Sequence, residues 1–153
     1  MLCRMNRCLL IAVLLSFNMS CSSVPVERDY LPSGAPTELR GDYQAIQGTW
    51  TVVHNEMRLQ TTPKLHGALH IFEGDRFRLG DESPPARERF VLDETTNPKR
   101  IDFDVDNPPR ILGIYRLEGS RLIVCTGGPG EPRPTRFKTW TFNENILTVL
   151  ERR

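Results

Sequence analysis

Strict alternation of apolar and polar residues is the clearest pattern in the chain. It is sharpest in residues 100–106, where three apolar residues alternate with three aspartates: Ile101, Phe103 and Val105 with Asp102, Asp104 and Asp106. Such a period of two predicts a strand of an antiparallel sheet with one buried face and one wet face. Weaker versions of the pattern predict further strands over residues 49–57, 68–72, 76–79, 87–92, 111–117, 122–125, 137–142 and 146–150.

Short glycine-centred turns separate several of these strands. Residues 72–77 (Phe-Glu-Gly-Asp-Arg-Phe) and 117–122 (Leu-Glu-Gly-Ser-Arg-Leu) share one pattern, and glycine supplies the positive φ that tight hairpins need. One helical turn over residues 43–47, with Asp42 as a candidate cap, precedes the strands. Eight or nine strands joined mainly by hairpins therefore predict an all-β fold, a small up-and-down antiparallel β-barrel with one short N-terminal helical turn.

The first 21 residues have the order of an export signal. Arg4 and Arg7 give a basic start, residues 8–17 form an uncharged apolar run, and a short exit ends at Cys21. A run of this length is too short for a permanent membrane span. We predict a signal peptide over residues 1–20, a disordered tether rich in Pro, Gly, Ser and Thr over residues 21–40, and a barrel domain over residues 41–153.

The cysteine that ends the apolar run resembles the lipobox of bacterial lipoproteins. The resemblance implies that Cys21 is acylated, becomes the first residue of the mature chain and anchors the protein to a membrane surface of the cell envelope. Asn18 stands where that family favours leucine, so a soluble periplasmic or secreted product of an ordinary signal is the alternative. Ser22 replaces the aspartate that marks inner-membrane retention in enterobacterial lipoproteins, which favours the outer membrane.

The mature composition excludes some partners. Without residues 1–20 the chain has 18 basic and 19 acidic residues, so there is no basic excess for nucleic acid or for an anionic membrane surface. Cys3 and Cys8 leave with the signal and Cys21 carries the predicted lipid, which leaves Cys125 without a disulfide partner. Stability must then come from buried apolar surface.

The start of the first strand carries a recognisable motif. Residues 47–50 (Gln-Gly-Thr-Trp), preceded by the helical turn, resemble the opening signature of the lipocalin (calycin) barrels. The resemblance implies that Trp50 plugs one end of the barrel and that an arginine near the last strand packs across its ring. Arg152 or Arg153 is placed for this role, and we take the Trp50–Arg152 pair as the candidate. A core tryptophan at the start of a strand would explain the motif equally well.

A second resemblance covers most of the mature chain. Ile-Gln-Gly-Thr-Trp, Phe-Glu-Gly-Asp-Arg-Phe, Asn-Pro-Lys-Arg-Ile-Asp-Phe, Leu-Gly-Ile-Tyr-Arg-Leu-Glu-Gly and Pro-Arg-Pro-Thr-Arg-Phe occur at 46–50, 72–77, 97–103, 112–119 and 132–137. In order and spacing they are similar to an uncharacterised family of small secreted proteins and lipoproteins expanded in planctomycete bacteria. That family has no established activity, so the resemblance implies fold class and no catalytic residue. The chain departs from it between Glu56 and Lys64.

The candidate reactive groups lack the neighbours that catalysis or metal binding needs. The three histidines, His54, His66 and His70, occur without a Cys-x-x-Cys or His-Glu-x-x-His pattern. Cys125 lies within a predicted strand and not at a helix start, where its pKa would be lowered. The aspartates of residues 100–106 are best interpreted as a solvated strand face. We predict no catalytic residue, no metal and no cofactor, so the protein is not expected to be an enzyme.

Two non-enzymatic functions remain. In the first, the barrel binds a small apolar ligand, as the lipocalin resemblance implies. In the second, it is a packed protein-interaction module whose rim loops, residues 126–134 and 106–110, contact an envelope protein. Bulky inward residues favour at most a small internal pocket. We expect it to open toward the loop around Gly128 and to be lined by Trp50, Phe77, Phe90, Phe103 and Tyr115.

Overall fold

The computed structural model describes residues 29–34, 36–80 and 88–153, so the predicted signal peptide and Cys21 lie outside the described residues. One short helix, α1 (Gly41–Ala45), and one 3-10 turn, η1 (Pro63–Leu65), accompany nine strands in these ranges. The strands are β1 (Gly48–Met57), β2 (Gln60–Thr61), β3 (Leu69–Glu73), β4 (Arg76–Leu79), β5 (Glu88–Asp93), β6 (Lys99–Phe103), β7 (Ile111–Glu118), β8 (Arg121–Thr126) and β9 (Ile146–Arg152). Within the described ranges, no helix has the length and apolarity needed to cross a bilayer.

Eight of the strands close into an antiparallel barrel. The neighbours follow the chain order β1-β3-β4-β5-β6-β7-β8-β9, and β9 returns to pair with β1 from Trp50↔Arg152 to Met57↔Ile146. β2 is an extra strand that pairs with the last two residues of β1. The predicted all-β, up-and-down barrel with one short N-terminal helical turn is confirmed.

The two ends of the barrel differ. The closed end holds α1, the start of β1, the end of β9 and the tight turns at 74–75 and 119–120. Gly74 (φ +66°) and Gly119 (φ +60°) adopt the positive φ predicted for these turns. Helix α1 covers this end because its last turn brings Ile46, fully buried, over the core.

The open end carries the longer connections. It holds the end of β1, the start of β9, and the loops over residues 58–68, 104–110 and 127–145. The prediction of a strand over residues 137–142 is wrong, since these residues belong to the last loop. β8 already occupies the edge of β9, from Arg121↔Glu151 to Thr126↔Ile146, and β1 occupies the other edge. The loop therefore has no strand edge left to pair with on β9.

The strand predicted over residues 100–106 also ends early. Asp104 has φ +57°, a left-handed conformation that ends β6 at Phe103. Asp102 is completely buried, so the interpretation of its face as solvated is wrong. The cover over Asp102 comes from a part of the chain for which the sequence predicts no packing.

Residues 29–33, here called the strap, cross the outer wall of the barrel. Leu31 is buried against Val91 and Val105, and its N–H donates to Asp102 Oδ2 at 2.8 Å. Arg89 Nη2 donates to the carbonyl oxygen of Ser33 at 2.6 Å. The predicted tether over residues 21–40 is therefore wrong for the strap. Proline and polar residues remove a repeating pattern, but one apolar side chain and main-chain hydrogen bonds suffice to bind an extended segment.

Candidate ligand cavity

The barrel encloses a cavity of about 590 Å³ in its open half. All eight barrel strands contribute to its wall, together with residues of the loop that precedes β3. Most of the lining is apolar: Val52, Leu65, Ala68, Leu69, Phe72, Phe77, Leu79, Phe103, Ile111, Val124, Ile146 and Leu150. Small-molecule sites typically have volumes of about 300–1,000 Å³ and predominantly apolar walls. The cavity therefore has the size and character of a ligand site.

The expectation of at most a small pocket is wrong, and the reason lies in the aromatic packing. The phenylalanines pack against one another in tilted and edge-to-face contacts along one side of the barrel. Ring centroids are 4.9 Å apart for Phe77–Phe103, 5.1 Å for Phe72–Phe77 and 5.2 Å for Phe72–Phe90. The opposite wall carries smaller side chains, including Val52, Val124 and Thr148. Because the bulky side chains are concentrated on one side of the barrel, the space beside the opposite wall stays open.

Three of the five predicted pocket residues lie elsewhere. Phe77 and Phe103 line the cavity, but Trp50, Phe90 and Tyr115 do not. These three pack below α1 at the closed end. The Tyr115 hydroxyl donates to Asp42 Oδ2 at 2.8 Å, and Phe90 stacks on a tyrosine of the helix. Alternation shows which side chains point inward but not how far along the barrel axis they lie. The prediction therefore combined residues that line the cavity with residues that pack under α1.

A few polar side chains interrupt the apolar wall. Asn55 Nδ2 donates to Thr148 Oγ1 at 2.9 Å, and this pair joins β1 to β9 inside the cavity. His70 packs edge-on against Phe77 with ring centroids 5.2 Å apart, and burial lowers its pKa from 6.5 to about 4. His70 is therefore neutral near pH 7. Glu88 supplies a carboxylate to the lining, and the described lining holds no lysine or arginine.

The sequence offered little warning of these polar groups. Asn55 and Thr148 are ordinary strand residues about 90 positions apart, and only the closure of β1 on β9 brings them together. His70 had a usable signal, because it follows Ala68 and Leu69 directly in a short apolar strand. A histidine in that setting is often buried and neutral.

Trp50 and Arg152 meet at the closed end. Trp50 has no exposed surface, and its ring N–H donates to the carbonyl oxygen of Ile46 at 2.7 Å. The Arg152 guanidinium lies over the indole ring, and Arg153 donates only its main-chain N–H, to Thr49. The structure thus brings together the two residues of the proposed structural pair.

The other reactive side chains are separate from one another. Cys125 is buried in β8, and burial raises the pKa of its thiol, which disfavours the thiolate. His54 lies 3.7 Å from Glu56 on the outside of β1, away from His70. Across the described ranges, no group of three or more His, Cys, Asp or Glu side chains is arranged to hold a metal ion.

The rim loops named for partner contact are engaged by the chain itself. Arg110 Nη1 donates to the carbonyl oxygen of Leu31 at 2.7 Å. Arg133 Nη1 donates to Asp102 Oδ1 at 2.7 Å and to the carbonyl oxygen of Gly113 at 2.8 Å. Arg133 Nη2 also donates to the carbonyl oxygen of Asp29, so both loops hold the strap against the barrel. Gly128, in the second loop, does not line the cavity, although the loop lies at its open end.

No protein-family model, curated protein or solved structure matches the chain. The lipocalin and planctomycete resemblances therefore stay predictions, and the site is argued from its geometry.

Proposed function

We propose that the protein is a non-enzymatic lipoprotein of the cell envelope whose barrel binds one small apolar ligand through its open end. The observation that supports ligand binding is the cavity of about 590 Å³ with its mainly apolar wall. The location rests on the export pattern of the first 21 residues, with an anchor at Cys21 and the outer membrane as the favoured site. A protein with a soluble, exported form would have the same cavity.

The chemistry of the wall limits the ligand. Glu88 lines the cavity, His70 is neutral, and no lysine or arginine of the described chain reaches the lining. Burying an anion there would leave its charge unpaired, which is costly in an apolar setting. We therefore expect an uncharged apolar molecule with at most one or two hydrogen-bonding groups, such as a long-chain alcohol.

The alternative function, a packed interaction module, has less support. Its core would have to be filled, whereas the open half of the barrel contains the cavity. Its contact loops would have to be free, whereas Arg110 and Arg133 hold the strap. Ligand binding explains the cavity directly.

A neutral fluorescent probe, N-phenyl-1-naphthylamine, tests the proposal. We expect saturable binding at one probe per barrel, displaced by dodecanol at concentrations about tenfold lower than those needed for dodecanoate. Val124→Phe adds bulk inside the cavity and should weaken binding by at least about tenfold. Ile123→Phe on the opposite face of β8 is the matched control and should leave probe binding unchanged.

Val124→Phe can also disturb the core, so a second variant is needed. Ile146→Phe fills the cavity from its mouth, where the side chain is only partly buried. Thermal unfolding reports whether each variant is folded. Absence of saturable binding to the folded wild-type protein would refute ligand binding, as would equal binding by the folded position-123, position-124 and position-146 variants.

A further inference from the structure

Large apolar side chains that face solvent are concentrated at the open end. Among the described residues, all such side chains except Leu39 lie there: Met57, Leu59, Leu65, Leu79, Trp140 and Phe142, here called the apolar rim. Phe142 is 100% exposed and Trp140 is 49% exposed. Single exposed apolar residues are ordinary, but a cluster at one end marks an interaction surface.

The apolar rim continues into the cavity. Leu65 and Leu79 belong to both, since they line the cavity and are also more than 40% exposed. Leu59 N–H donates to Thr139 Oγ1 at 3.0 Å, which fixes the β1–β2 turn beside the loop that carries Trp140. A surface that bound the rim would thus lie directly at the mouth of the cavity.

The segment that carries the exposed aromatics is basic. Residues 136–142 read Arg-Phe-Lys-Thr-Trp-Thr-Phe and include two cations and no acid. Lys138 Nζ lies 3.8 Å from the centre of the Trp140 ring, and nearby Glu144 forms an ion pair with Arg58 at 2.6 Å. Aromatic side chains beside cations are typical of segments at a membrane interface, where rings enter the headgroup layer and cations pair with anionic lipids.

The position of the N-terminal chain also favours a membrane at the open end. The strap begins at Asp29, whose carbonyl oxygen accepts from Arg133 Nη2 and whose carboxylate lies 3.3 Å from Arg133 Nε. Arg133 belongs to the same loop as Trp140. Asp29 lies eight positions after Cys21, and eight steps of extended chain span at most about 26–29 Å. A lipid attached at Cys21 would therefore keep the bilayer near this loop.

We propose that the apolar rim docks on a lipid bilayer that contains anionic headgroups, with Trp140 and Phe142 inserted at the interface. The cavity mouth then faces the membrane, from which an apolar ligand can enter without crossing water. The purpose of this docking rests on the proposed ligand binding, but the docking itself does not require a ligand. The near-zero charge of the whole chain is no obstacle, because residues 136–142 provide the local attraction.

Vesicle binding by a chain without the anchor tests the inference. The protein is the chain from residue 21 with Cys21→Ser, which contains every described residue, and the vesicles are phosphatidylcholine with or without phosphatidylglycerol. We expect co-flotation with the mixed vesicles and a blue shift of tryptophan emission. Because Trp50 is fully buried, the shift reports Trp140. Brominated acyl chains should quench this emission.

Matched variants separate the contributions of the rim and of its cations. Trp140→Ala combined with Phe142→Ala should weaken partitioning by at least about tenfold, whereas Leu39→Ala, at the exposed apolar residue outside the rim, should not. Arg136→Ala with Lys138→Ala should weaken binding only to vesicles with phosphatidylglycerol, and Arg153→Ala should not. All these positions are exposed, so unfolding temperatures should stay unchanged.

Two results would overturn the inference. One is equal vesicle binding, or none, by the wild type and the Trp140/Phe142 double variant. The other is concentration-dependent dimerisation that the double variant abolishes, which would assign the rim to a second copy of the chain. Failure of docking leaves probe binding in the cavity intact, and failure of probe binding leaves vesicle docking intact, so the two proposals can be refuted separately.

Discussion

The guanidinium carbon of Arg152 lies 4.2 Å from the centre of the Trp50 ring. The terminal nitrogens of the same arginine donate to the carbonyl oxygens of Gln47, at 2.7 Å, and of Ala45. One side chain from the end of β9 therefore joins the first strand and satisfies carbonyl groups at the end of α1. The pair closes the barrel at the point where its first and last strands meet.

Replacing Arg152 should weaken the closed end. Arg152→Ala removes the cation–π contact and two hydrogen bonds, so we expect the free energy of unfolding to fall by about 1–3 kcal/mol. Arg152→Lys should lower the free energy of unfolding by less than Arg152→Ala does, because lysine keeps the charge but loses the forked geometry. Urea unfolding measures the effect. Arg153→Ala, which keeps the main-chain N–H bonded to Thr49, should be near neutral, and an equal loss in both variants would contradict a specific role for Arg152.

Replacing Trp50 should destabilise the folded protein more than replacing Arg152 does. Trp50→Ala leaves a large cavity in a fully buried site and should lower the free energy of unfolding by about 3–5 kcal/mol. Trp50→Phe keeps most of the burial but leaves the Ile46 carbonyl oxygen without its donor, at a cost of about 1–3 kcal/mol. Equilibrium denaturation compares the two. A Trp50→Ala protein as stable as the wild type would remove Trp50 from the core.

The sequence predicted the barrel well because the fold depends on local alternation and turn chemistry. Those signals predict strands over residues 76–79 and 146–150, and β4 and β9 lie there. Residues 137–142 have the same alternation, but pairing depends on a free strand edge, which no local pattern reveals. Local alternation also fails to show whether an apolar side chain is buried. Trp140 and Phe142 alternate with polar residues, yet both face solvent.

The candidate site was predictable only in part, for a different reason. Phe77 and Phe103 line the cavity, whereas Tyr115 lies in the layer below α1. The position of a side chain along the barrel axis depends on the stagger of the strands, and this stagger is determined by pairing between residues that are distant in sequence. The burial of Asp102 likewise depends on Arg133, 31 positions away, and on the strap.

The Asp102–Arg133 ion pair should be essential for holding the strap. Asp102 is completely buried and lies 2.7 Å from Arg133 and 3.8 Å from Arg110, so removing its charge leaves Arg110 without its acid and Arg133 with only the exposed Asp29 carboxylate. We expect Asp102→Asn to lower the free energy of unfolding by about 2–4 kcal/mol and to make the strap sensitive to limited proteolysis. Asp104→Asn, in the partly exposed turn after β6, is the matched control and should change stability by less than about 0.5 kcal/mol, because the amide oxygen can still accept from Asn107. Equal effects would contradict the role of the pair.

Cys21 should carry the membrane anchor. In the exporting host, the wild-type protein is expected in the detergent phase with an added acyl mass on Cys21. Cys21→Ala should either stay uncleaved or appear in the aqueous phase. Cys125→Ala should retain the lipid, since the Cys125 thiol is buried in β8. A mature N-terminus at another residue, without added mass, would contradict lipidation and favour the soluble exported form.

His70 should make the barrel lose stability as the pH falls. Its pKa is about 4 in the folded protein and 6.5 when exposed, so between these values the unfolded chain binds a proton that the folded chain excludes. The contribution is therefore fully favourable above about pH 6.5 and is lost as the pH drops toward about 4. Between about pH 7 and about pH 5 the free energy of unfolding should fall by about 2 kcal/mol through this group alone.

His70→Leu should abolish this component of the pH dependence, because it replaces the imidazole with an apolar side chain of similar reach. Urea unfolding of wild type and variant at several pH values measures the difference between their slopes. His66→Leu is the matched control, since His66 is exposed in the turn after η1 and its imidazole stays in water on folding. An unchanged slope in the His70 variant, or an equal change in both variants, would show that His70 is not buried in its neutral form.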